Sequence, residues 1–180
     1  MTPSRHRLQR QLAFAALLML CPPMLHAQEA ARAASAAAAA PNAVTQGALQ
    51  VGMQACAGRV EQVSRFVGFS SQAGAVLMPP PAQPDKHLVP LAMEVPTEAG
   101  PAFVSAAFAP NQANGCGATY DAVVFWPQAC AAVAAQRFAG LRVIGLLKQH
   151  ITVLDGGTTA KVFLMPAGSG CVSIKKELLL

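Results

Sequence analysis

Charge is scarce in this chain of 180 residues: Asp, Glu, Lys and Arg make up 12% of it, against 53% hydrophobic residues. A soluble domain carries roughly 25% charged residues. This poverty excludes a disordered polyelectrolyte, which needs low hydrophobicity and high net charge, and it excludes a charge-laced coiled coil. Metal motifs are missing as well. There is no C-x-x-C, H-E-x-x-H or H-x-H, and His87 and His150 are the only histidines beyond residue 26. A zinc site needs about four nitrogen or sulfur ligands, usually in close pairs, so the sequence implies no metal, and it implies no redox centre or other cofactor. No phosphate loop or dinucleotide fingerprint follows a strand pattern.

Residues 1–27 do have the layout of a secretory signal peptide. Arg5, Arg7 and Arg10 form a basic start, Leu12–Cys21 is an apolar run, and Pro22-Pro23 leads to small Ala27 at the expected cleavage position. The run is shorter than the roughly 20 apolar residues that span a bilayer, so no transmembrane anchor is expected in the mature chain. Leu20 before Cys21 does not suit lipidation, and no arginine pair marks a twin-arginine route. The expected destination is the periplasm or the cell exterior, through the general secretory route. Cleavage would remove three arginines and no acid, leaving ten bases, eight acids and a net charge of +2. The remaining bases are scattered, without the basic stripe of a nucleic-acid binder. Nucleic acid is therefore not an expected partner.

Residues 28–46 read as an Ala-rich flexible tether, with five alanines in a row at 36–40. A single globular domain is expected over 47–180. Leu49, Met53, Cys56, Val60, Val63 and Val67 recur at helical spacing, which predicts one helix closed by Gly68. Strands are expected at 75–78, at 89–95, at 103–109 and at 118–126, the last one central. Pro90 cannot donate to a ladder and predicts an edge strand. A second helix is expected to start at Trp126-Pro127 and to end at Gly140, with Cys130, Ala134 and Phe138 on one face. Asp155-Gly156-Gly157 is a hairpin signal, and Val162–Met165 and Cys171–Glu177 read as its continuation. The expected fold class is α+β: an antiparallel sheet with two helices packed on it and a C-terminal three-strand meander. No internal repeat stands out.

Cys56, Cys116, Cys130 and Cys171 lie beyond the leader, and an even number in an exported chain predicts two disulfides. If 118–126 is one extended strand, it spans about 27 Å. Cys116 and Cys130 then lie at its opposite ends, beyond the roughly 7 Å limit of a disulfide. Of the two remaining connectivities, Cys56–Cys130 with Cys116–Cys171 is preferred. The first pair lies on the apolar faces of both helices, and the second lies in matching glycine-flanked turns.

Catalytic constellations are thin. Cys116 or Ser169 with His150 could be written as a hydrolase, but Ala167–Cys171 does not match G-x-S-x-G and precedes a strand, not a helix. Asp121, beside the only tyrosine (Tyr120) and near the only tryptophan (Trp126), is the candidate polar anchor of a ligand or partner site. Phe103, Phe108, Phe125 and Trp126 are its candidate aromatic lining. Leu178–Leu180 either finishes the last strand or presents an apolar end. The expectation is a small non-catalytic binding or accessory protein of the cell envelope, its partner an envelope protein or a small apolar ligand.

Overall fold

Asn42 starts the fold. Its side chain accepts from the Thr45 backbone N–H at 3.0 Å and caps α1 (Ala43–Gln50), as short polar residues do at helix starts. The computed structural model describes residues 40–180, of which Pro41–Leu180 form one compact unit. The expected leader and most of the expected tether lie outside the described residues. Residues 41–46, expected to belong to the tether, instead form the cap and first turn of α1, with Val44 and Thr45 buried.

The single helix expected over 49–67 is broken. Gly52 takes φ +89°, a conformation that ends α1, and α2 (Ala57–Phe66) begins after a turn. The apolar stripe survives the break: Met53, Cys56, Val60 and Val63 are all buried. Gly68 closes α2 as expected, at φ +82°, where the left-handed cap favours glycine. Glu61 ties the two helices together. Its Oε2 accepts from the Asn42 N–H at 3.0 Å and from the Thr45 hydroxyl at 2.5 Å.

The strands are β1 (Gly74–Leu77), β2 (Val89–Thr97), β3 (Gly100–Asn111), β4 (Gly115–Trp126), β5 (Arg142–Leu147), β6 (Ile151–Asp155), β7 (Ala160–Ala167) and β8 (Gly170–Leu179). They form one antiparallel sheet in the order β1-β2-β3-β4-β8-β7-β6-β5. The class is α+β, with three α-helices among the described residues where two were expected. The expected three-strand meander is extended by β5. The second helix starts later than expected, as α3 (Cys130–Arg137), because Trp126 completes β4. The strand carrying Pro90 is not an edge, since β2 is flanked by both β1 and β3. The missing donor is tolerated because Pro90 faces the end of β1: its carbonyl accepts from the Met78 N–H at 3.0 Å, just before Pro79 stops the chain from pairing further.

The topology shows a repetition that the sequence reading did not detect. Each half is a helical segment followed by a four-strand meander, and the two meanders join through their last strands, β4 and β8. Short echoes in the sequence fall at matching places. Gln54-Ala55-Cys56-Ala57 and Gln128-Ala129-Cys130-Ala131 open α2 and α3. Arg65-Phe66-Val67-Gly68 and Arg137-Phe138-Ala139-Gly140 close them. Pro110 pairs with Cys116 and Pro166 with Cys171, each across a tight hairpin. Unequal spacing hides the echo, because the two cysteines of a half are 60 residues apart in the first and 41 in the second.

The disulfides follow this division. Cys56 bonds Cys116 and Cys130 bonds Cys171, with Cα–Cα distances of 5.1 and 5.0 Å. The preferred pairs Cys56–Cys130 and Cys116–Cys171 are not formed. They assumed that both helices share one core, whereas α1 and α2 cover a cluster built on Met93, Phe108 and Tyr120, and α3 covers a separate one built on Leu154, Val162 and Leu164. Cys171 also pairs in register with Trp126, at the far end of β4 from Cys116, roughly 30 Å away at strand rise. Cys116 and Cys130 are not bonded to each other, as the length of β4 requires. In the chain-entropy account each bridge adds about 4 kcal/mol.

Two outcomes test this architecture. Non-reducing peptide mapping should recover Cys56–Cys116 and Cys130–Cys171 peptides only; a peptide joining the halves would contradict the two-core arrangement. Gly170→Ala should destabilise by about 1–3 kcal/mol, because a Cβ there would lie 2.5 Å from the Trp126 carbonyl oxygen. Gly47→Ala, in the middle of α1 with open space around it, should instead stabilise by about 0.5–1 kcal/mol. Chemical denaturation of the two variants reads both signs.

Candidate functional site

Strand alternation decides where the anticipated site residues go, since successive side chains point to opposite faces. Tyr120 and Asp121 are neighbours in β4 and therefore diverge. Tyr120 is 1% exposed and enters the first core. Asp121 faces the helix-free side of the sheet. Trp126 returns to the helix side, where its Nε1 donates to Ser173 Oγ at 2.8 Å and the Arg137 guanidinium lies 5.0 Å above its ring. The expected Asp121–Tyr120–Trp126 site is therefore not assembled. The expected aromatic lining divides in the same way. Phe108 is a core residue, whereas Phe103 and Phe125 are 53% and 52% exposed on the open face.

The expected hydrolase groups do not form a unit either. Cys116 is held as a disulfide and has no thiol to ionise. His150 lies in the β5–β6 turn and Ser169 in the β7–β8 turn. Among the described residues no hydrogen bond joins them. Of the terminal leucines, Leu178 and Leu179 finish β8, and the Leu180 carbonyl accepts from Arg59 Nη2 at 3.0 Å.

On the helix side, Tyr120 anchors a small polar cluster at the margin of the first core. Its hydroxyl donates to Glu177 Oε2 at 2.6 Å, and Lys175 Nζ donates to the same hydroxyl at 3.0 Å. Lys175 also pairs with Glu177 at 2.7 Å and lies 4.5 Å above the Phe66 ring. Burial pushes the Tyr120 phenol well above its ordinary range, reinforced by the hydrogen bond to Glu177 and the charge of that carboxylate. Burial also acts to raise Glu177, but the hydrogen bonds from Lys175 and Tyr120 outweigh it and hold the carboxyl below its ordinary value. Every polar group in this cluster is satisfied, and it fastens β4 to β8.

The open face is organised in cross-strand rows. Phe103, Val123, Ile174, Phe163 and Val153 are in register across β3, β4, β8, β7 and β6. Beside them, Phe125, Val172 and Met165 form a second apolar row. On the other flank runs a charged row: Asp121, Lys176, Lys161, Asp155 and Arg142. Ion pairs lock it, Asp121 to Lys176 at 2.8 Å, Lys161 to Asp155 at 3.2 Å and Arg142 to Asp155 at 3.4 Å. The Gly157 backbone N–H and the Lys161 ammonium together hold Asp155 below the usual carboxylate range. Asp121 Oδ1 is shielded from solvent and accepts no hydrogen bond.

Beyond the charged row lie two shallow depressions of about 270 and 420 Å³. The first is lined by Leu88, Ala107 and Ala109, the second by Phe163 and Lys176; Thr119 and Leu178 border both. Sequence reasoning missed this surface, although a signal was present. In 103–104 and 123–125 the apolar residues do not alternate with polar ones, so both sheet faces are apolar there. Three short helices can cover only one of them.

The depressed carboxylates set the acid response. Glu61 is also held low: burial acts to raise it, but hydrogen bonds from Thr45, Arg65 and the Asn42 backbone prevail. Folded Glu61, Asp155 and Glu177 bind protons more weakly than their unfolded counterparts, so their contribution is present above the unfolded range and is lost as pH falls through the folded values. The thermal midpoint should hold steady from neutral pH to about pH 5 and fall below about pH 4. Glu177→Gln should cost at most about 1 kcal/mol at neutral pH and should flatten part of that acid slope; an unchanged slope would remove Glu177 from the account. Tyr120 acts at the other end. Its raised value makes stability present below about pH 10 decline as pH rises further, and Tyr120→Phe should abolish that decline.

No protein-family model matches the chain, and neither does any curated protein or solved structure.

Proposed function

We propose that this chain is an exported, non-catalytic binding protein of the cell envelope, periplasmic or secreted, and that the open face of its sheet is the working surface. The observation that carries this reading is the pair of in-register apolar rows with Phe103 and Phe125 half exposed. A contiguous exposed apolar patch rimmed by charge is the usual mark of a protein interaction site. The two disulfides are compatible with an oxidising compartment. The partner of best fit is a protein presenting an apolar surface, because the rows are broad and shallow and suit a facing surface better than an enclosed small molecule. The locked charged row along one flank would fix the orientation of that partner.

Crosslinking in the envelope fraction tests this. The wild-type protein should give a defined adduct, and Phe103→Ser/Phe125→Ser should lose it while keeping its thermal midpoint. Phe66→Ser changes a phenylalanine that is 62% exposed on the helix side and should keep the adduct. An adduct lost in the Phe66 variant and kept in the Phe103/Phe125 variant would place the working surface on the wrong face. Recovery of the protein from the cytoplasm with its N-terminus at Met1 would refute export.

A further inference from the structure

The two edges of the sheet are treated differently. β1 is four residues long and is followed by Pro79-Pro80-Pro81, devices that keep an edge from pairing further. β5 has no such stop. All six of its residues are exposed, and Val143, Ile144, Leu146 and Leu147 are 57%, 45%, 57% and 58% exposed. α3 is eight residues long and leaves β5 uncovered. Only β6 pairs with this strand, so its outer edge presents unpaired backbone donors and acceptors.

Charge says what would cover it. The apolar run is bracketed by Arg142, whose side chain is 77% exposed, and by Lys148 in the following turn. Lys161 lies close by on Asp155 at 3.2 Å. Asp155 is the single carboxylate in this group and is shared between Arg142 and Lys161, and Lys148 forms no ion pair among the described residues. A second copy of the chain is a poor occupant. Antiparallel pairing of β5 with β5 about Gly145 would set Arg142 opposite Lys148 at both ends, and like charges directly opposite destabilise a strand pair.

We propose that the outer edge of β5 is a strand-docking site for an extended apolar segment of a partner protein with acidic residues at both of its ends. Main-chain hydrogen bonds would supply affinity, as in other strand-addition complexes, and the flanking Arg142 and Lys148 would select the acidic segment. This site is separate from the open face and does not depend on it.

The probe is a synthetic peptide of alternating valine and threonine with two glutamates at each end, compared with the same peptide carrying lysines instead. Fluorescence anisotropy should show the acidic peptide binding about tenfold more tightly at low salt. Hydrogen exchange should slow at alternate amides of 142–147 and not in β1. Arg142→Glu/Lys148→Glu, both at exposed positions, should reverse the preference, with unchanged circular dichroism confirming the fold. Phe103→Ser/Phe125→Ser should leave it intact, which separates failure here from failure of the open-face reading. Equal binding of both peptides, protection elsewhere, self-association through β5, or binding only to anionic vesicles would each overturn the proposal.

Discussion

The ladder between β4 and β8 makes one molecule out of two half-sheets. Nine residue pairs, from Ala118–Leu179 to Trp126–Cys171, connect them. No other strand pair crosses the boundary, and the two buried clusters lie on either side of it. Asp121 and Lys176, near the middle of the ladder, mark the join on the open face. On the opposite face Tyr120, Lys175 and Glu177 bind the same two strands through side chains. A half with so few residues has little apolar surface to bury by itself. Each half has its own disulfide, and the pair of strands lets both halves share one continuous sheet.

How far the sequence revealed this depends on range. Local signals worked: the alternation at 89–95, the central strand at 118–126, the glycine cap at 68 and the Asp155-Gly156-Gly157 turn all have counterparts in the fold. Signals that depend on tertiary context did not. Gly52 could have been tolerated within a helix, and only the turn at Met53 shows why it ends one. Pro90 reads as an edge marker unless one knows that β1 stops at its level. The disulfide pairing required knowing that the helices cover separate cores. The repetition was hidden because its shared residues are few and unequally spaced.

The open face illustrates the same limit for function. Asp121, Tyr120 and Trp126 are close in sequence but divide between two faces, so proximity in the chain misled. Phe103 and Phe125 come together with Val123, Ile174 and Phe163 only through register across strands distant in sequence. The sheet has one face filled by helices and one left apolar, with charge confined to a single row. Such a surface is costly to leave in water, and that cost is offset when a partner covers it.

The pairing of the cysteines in chain order, first with second and third with fourth, has a consequence for synthesis. A chain entering an oxidising compartment N-terminus first has both members of its first bridge present before the third cysteine arrives. The loops are neither nested nor crossed, so joining each new cysteine to the unpaired one before it gives the native connectivity. Vectorial entry thus favours the correct bridges without a later reshuffling step.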